Sequence, residues 1–181
     1  MPNPKKITMP DNVRNQLIIQ LRGFDARHYA NTERYARQID RVYKTACDEY
    51  ARLGASLDAP EGEAVFSFDK YPRARKQAQG IMQRLAKKVE SVITSGTQSE
   101  WLAATYKNDA FLGSILRTSK LTKEELEQYQ GRNLEALNTF QRRKVEGMGL
   151  SERVWKQAED MKAAIELGID VAIGDGRDAQ Q

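Results

Sequence analysis

The chain has very few of the residues on which catalysis and metal binding usually depend. Its 181 residues include one cysteine, Cys47, and one histidine, His28. A single cysteine excludes an intrachain disulfide and any multi-cysteine metal site, and it fits a reducing compartment. A zinc site needs three or four ligands, and a general base needs a positioned partner; no such set is visible around His28. All five prolines (Pro2, Pro4, Pro10, Pro60 and Pro72) lie in the first 72 residues, so nothing beyond Pro72 carries that helix breaker. No run of about 18 apolar residues exists, which excludes a membrane-spanning helix. The opening Met1-Pro2-Asn3-Pro4-Lys5-Lys6 has no apolar stretch behind its charges and does not read as a secretory signal. A large excess of one charge is missing too. The 29 basic residues exceed the 25 acidic ones by +4, which does not by itself mark a nucleic-acid binder.

What is present is helical periodicity. Residues 1–10 read as a flexible arm, with Asp11 or Asn12 as the N-cap of the first helix. From there Val13, Leu17, Leu21, Phe24, His28, Tyr35, Ile39, Val42, Ala46, Tyr50 and Leu53 recur at steps of three and four, with one skip at Thr32. A helix of that length extends roughly 60 Å. Gly23 is a place for a break or kink, and Gly54 a natural stop. Residues 54–69 carry Asp58, Glu61, Glu63 and Asp69 around Pro60 and Gly62. They read as an acidic loop, with Val65-Phe66-Ser67-Phe68 a candidate short strand. A second helix is expected from Pro72 to Thr94, with Ala74, Ala78, Ile81, Met82, Leu85, Val89 and Val92 on its apolar side and Gly96 at its end.

Thr97-Gln98-Ser99-Glu100 and Thr122-Lys123-Glu124-Glu125 both match the capping box that starts a helix. The first would open a helix carrying Trp101, Leu102, Tyr106 and Phe111. The second would open a short one ending before Gly131. Asn133 would cap another helix through Val145, and Gly147-Met148-Gly149 would be a flexible joint. Ser151 would cap a final helix with Val154, Ala158, Met161, Ile165, Ile169 and Ala172 on one face across Gly168. The sequence then stops just as Arg177-Asp178-Ala179 looks like a new helix start, as in the N-terminal portion of a longer protein. The expected fold is all-α: long amphipathic helices in an extended bundle, non-globular outside its assembly.

The second helix carries the one pattern that points to a ligand. Arg73, Lys76, Arg84, Lys87 and Lys88 fall within about 120° of one another on a 3.6-residue helix. The apolar stripe lies opposite. No acidic residue stands between Arg73 and Lys88, so the stripe has no partner in its own helix. Contact with phosphates or with an acidic protein surface is one reading, and a solvated face is the other. No aromatic residues interleave with the basic ones, which argues against stacking on single-stranded bases. Arg142-Arg143-Lys144 point in three directions and carry little. His28 reads as a buried or partly buried histidine with one hydrogen bond, and Cys47, Trp101, Trp155 and the tyrosines as packing residues. Gly174-Asp175-Gly176 lacks the Lys-Ser/Thr of a phosphate loop, and Asp170, Asp175 and Asp178 lack calcium-loop spacing.

Leu150-Ser151-Glu152-Arg153-Val154-Trp155, a helix through Gly168, and Gly176-Arg177-Asp178-Ala179 together resemble the minor head, or head-morphogenesis, proteins of tailed bacteriophages. That family is typified by the F protein of phage Mu. The shared pattern is a leucine-serine-x-arginine-valine-tryptophan helix start followed by a glycine-arginine-serine-alanine start. Here Asp178 stands at the serine position, an equally good cap. The match covers roughly a sixth of the chain. The resemblance implies a low-copy virion protein inside the head near the portal, present in the host cytoplasm during assembly; the lone histidine and the absence of paired motifs are what argue against catalysis, a cofactor or a metal. Its implied partners are portal or capsid proteins and packaged DNA, within a homo- or hetero-oligomer. A free-standing helical nucleic-acid-binding protein using the basic face is the alternative.

Overall fold

The structure, a computed structural model, describes residues 10–57, 66–116 and 134–174. The fold is all-α. Helix α1 spans Asp11–Ala55, α2 spans Pro72–Leu116, α3 covers residues 134–142, and α4 spans Leu150–Gly174. A single 3₁₀ turn at Phe68–Lys70 precedes α2. The described residues form no β-strand, only an isolated bridge between Val145 and Met148. No helix among them is long and apolar enough to cross a membrane. The proposed arm, the second capping box with its short helix, and the start after Gly174 lie outside the described residues.

Helix ends and glycines account for most departures from the sequence reading. The first bond of α1 runs from the Arg14 amide to the Pro10 carbonyl at 3.0 Å, so Pro10 caps the helix and Asp11 is its first residue. There the Asp11 carboxylate faces the positive end of the helix dipole. Gly23 does not break α1, since helix runs through it and ends one residue past Gly54. Gly96 does not end the second helix, and Thr97–Glu100 start no new one: α2 runs unbroken to Leu116. The reason is packing. A Cβ on Gly96 would sit 3.2 Å from the Tyr35 ring, so glycine is there to admit an aromatic face.

Residues 145–149 form a defined turn in place of a flexible joint. Val145 and Met148 exchange backbone hydrogen bonds of 2.9 and 3.1 Å. Glu146 and Gly147 between them adopt φ of 53° and 80°. Positive φ at both central positions is the mirror-image turn that closes hairpins. α3 stops at residue 142, ahead of the expected Val145. Gly149 takes the capping position of α4 that Ser151 was expected to fill. Its carbonyl accepts from Arg153 at 3.1 Å, and its amide donates to Glu152 at 2.6 Å. The Ser151 hydroxyl instead donates to Glu90 of α2.

The chain divides into two compact units: Met1–Tyr35 with Thr94–Arg142, and Ala36–Ile93 with Arg143–Gln181. The second unit holds the main core. Thirteen buried residues from α1, α2, α4 and the Phe66–Phe68 segment cluster there, with Tyr50, Phe68, Leu85 and Val89 almost wholly enclosed. Phe68 lies 5.6 Å from the Tyr50 ring and meets Phe66 edge to face at 5.2 Å. The Tyr50 hydroxyl donates to the Ala78 carbonyl at 3.0 Å, tying α1 to α2.

Of the Val65–Phe68 candidate strand, Val65 lies outside the described residues and the rest is not strand: Phe66 and Ser67 are irregular and Phe68 opens the 3₁₀ turn. Its apolar alternation serves a different end. Both phenylalanines enter the core, while their amides donate to α4 carboxylates, Phe66 to Asp170 at 2.7 Å and Phe68 to Glu166 at 2.8 Å. Buried backbone donors are thereby satisfied without a sheet partner.

The first unit has fewer buried residues on view. Among its described residues only Leu17 and Leu137 are buried apolar side chains. Trp101 and Phe140 rings approach to 6.1 Å. Two cross-helix polar pairs help hold α1 to α2: His28 Nδ1 lies 2.6 Å from Glu100, and Lys107 lies 2.5 Å from Asp25.

Candidate binding face on α1 and α2

α2 brings all five residues of the sequence-predicted stripe to solvent: Arg73, Lys76, Arg84, Lys87 and Lys88 are exposed. Its opposite side buries Ala74, Ala78, Ile81, Leu85 and Val89, so the core fixes which way the cations point. One member is paired from outside its helix. Arg84 is hydrogen-bonded to Glu49 of α1, a half-exposed contact contributing on the order of 0–1 kcal/mol.

The structure adds two residues that the helical wheel of α2 could not supply. The seam of α1 and α2 holds two open grooves. The first, about 570 Å³, is lined by Glu49 and Arg52 of α1 and by Lys76, Gly80 and Arg84 of α2. The second, about 500 Å³, is lined by Arg41 and Val42 of α1 and by Lys87, Lys88 and Val92 of α2. The sequence reading did not single out Arg41 or Arg52. Their place opposite the stripe depends on how two antiparallel helices align, which no local pattern encodes.

The remaining candidates change character. His28 is exposed and not buried; it keeps one hydrogen-bond partner, Glu100. The Thr97–Glu100 carboxylate therefore serves a partner on α1. Cys47 is exposed, with Sγ 3.8 Å from the Met161 sulfur. Tyr29 and Tyr106, expected as packing residues, are 70% and 66% exposed. Trp155 does pack against the core, and its Nε1 donates to Glu159 at 3.0 Å.

The titratable groups with displaced pKa values belong to the core of the second unit. Burial raises Tyr50 to about 12, with Glu166 adding to the effect and Arg84 opposing it. Burial also raises Tyr43. Burial works against the charge of Lys162, yet its bonds to Asp69 at 3.0 Å and Glu166 at 3.3 Å prevail and hold its pKa above the ordinary lysine value. These groups stabilise a fold and do not converge on a cleft. Among the described residues no group of three or more His, Cys, Asp or Glu is arranged to hold a metal ion. The chain matches no family model, no curated protein and no solved structure.

Proposed function

We propose that the chain is a non-catalytic assembly protein that docks on a larger protein complex. The carrying observation is the first unit's surface. Eight of the eleven large apolar side chains exposed among the described residues lie there: Ile18, Ile19, Tyr29, Leu102, Tyr106, Phe111, Leu134 and Phe140. A unit whose described residues bury two apolar side chains and expose eight gains further stability by covering them.

The resemblance of Leu150–Trp155 and Gly176–Ala179 to phage minor head proteins gives the complex its most specific form. In this reading the chain acts in the virion head interior, near the portal, and docks on portal or capsid protein as part of an oligomer. The test is reconstitution with the portal and capsid proteins of the phage that encodes it, monitored by light scattering. Co-sedimentation with either, lost on replacing Tyr29 and Tyr106 with aspartate, supports the reading. A chain that stays monomeric and ignores both proteins refutes it.

A further inference from the structure

The two grooves follow one another along the same α1–α2 seam without sharing a lining residue. Arg52 and Lys76 share the first, and Arg41 and Lys87 share the second. On each helix the step between grooves is 11 residues, three turns, or about 16 Å. The pairs therefore repeat in register along an antiparallel seam, and the first groove reaches down to the core residues Leu53 and Ile81.

Charge is concentrated here. The two linings hold six cations (Arg41, Arg52, Lys76, Arg84, Lys87 and Lys88) and one carboxylate, Glu49. That local charge of +5 exceeds the +4 of the whole chain. Among the described residues only Arg84 of the six has an acidic partner. Like charges lined up on adjacent helices repel one another, and a polyanion relieves that repulsion by exchanging its condensed counterions for side chains.

We propose that this seam is a sequence-independent binding face for the phosphate backbone of duplex nucleic acid. Arg41, Lys87 and Lys88 contact one backbone strand, and Arg52 and Lys76 the other. Their separation of about 16 Å reaches between the walls of a major groove about 12 Å wide. No aromatic side chain lines either groove, so bases are not stacked. Glu49 acts as a brake: it occupies Arg84, which would otherwise reach the backbone. The inference does not rest on the docking role, because duplex binding without assembly, or assembly without duplex binding, separates the two.

The experiment is a salt titration of full-chain binding to a duplex of about two helical turns, from roughly 50 to 200 mM salt. Single strands of the same sequence and polyglutamate serve as competitors. Arg41→Glu with Arg52→Glu, and separately Lys87→Glu with Lys88→Glu, should each weaken duplex binding at least about tenfold. Each pair should also make the slope of log K against log salt shallower by about 2. Helicity should be unchanged, because all four side chains are exposed. Glu49→Gln should tighten binding and steepen the slope by about 1. Wild-type affinity in both double variants, or no duplex binding at the lowest salt, overturns the proposal. Tighter binding of the single strand overturns it as well. Polyglutamate binding with no duplex binding overturns it in favour of an acidic protein surface.

Discussion

The two units are made of the same two long helices yet are stabilised in different ways. Between Ala36 and Ala55, α1 places Ala46, Tyr50 and Leu53 in a core closed by α2, α4 and the Phe66–Phe68 segment. Between Asp11 and Tyr35 the same helix buries Leu17 alone, and two exposed polar pairs connect it to α2. Such pairs contribute on the order of 0–1 kcal/mol each, against about 1.5–3 kcal/mol for each fully buried large apolar side chain. A helix thus carries no uniform stability along its length. What decides is whether a third element covers it, and in the second unit that element is α4.

The sharpest way to break this comparison is to delete one ring from each unit. Phe68→Ala should destabilise the chain by about 3–5 kcal/mol, because Phe68 is fully enclosed between Tyr50 and Phe66. Tyr29→Ala should change stability by only about 0.5 kcal/mol in the isolated chain. Denaturant midpoints measure both, and similar losses would mean that the first unit has a core of its own.

A second way is alkaline pH. A tyrosine whose folded pKa is raised stays protonated after the unfolded chain has lost its proton. Its contribution is intact below the ordinary value near 10 and is lost as pH rises toward about 12. Over that window Tyr50 should account for a loss of roughly 2–3 kcal/mol. Lys162, also raised, loses its contribution in the same direction as pH climbs through its folded value. Urea melts at stepped pH should show the decline, and Tyr50→Phe should flatten it. A decline of equal size in that variant would remove Tyr50 as the cause.

Glycine replacements give the smallest effects and the finest resolution. Gly23 in the first unit and Gly168 in the second are helical with open space where a Cβ would go. Alanine at either should add about 0.5–1 kcal/mol. In a scanning calorimeter Gly23→Ala should raise only an early transition and Gly168→Ala only a later one. One shared transition that both variants raise would make the units a single cooperative body.

The apolar stripes of α1, α2 and α4 were legible where they line the second unit, because its core enforces a period of 3.6. The stripe of Arg73, Lys76, Arg84, Lys87 and Lys88 was legible for the same reason. Local signals failed where a residue answers to something distant. Gly96 resembles a helix stop, but glycine also serves close approach, and the Tyr35 ring that requires it lies about sixty residues away in the chain. Glu100 resembles half of a capping box until His28 is seen beside it. Phe66 and Phe68 alternate as a strand would, and only the α4 carboxylates show that their amides need no sheet. Arg41 and Arg52 were missed because groove membership depends on helix register.

Glu166 and Asp170 stand 98 and 104 residues beyond the amides they accept from. At about 5–20 residues per second, a ribosome needs roughly 5–20 s to make that interval. In the later part of that time α1, α2 and the Phe66–Phe68 segment are already synthesised, while the element that closes them is still incomplete. The nascent second unit therefore presents to solvent its apolar face and two amides that lack their native acceptors. The longer that face waits for α4, the more the chain depends on shielding by a chaperone while translation proceeds.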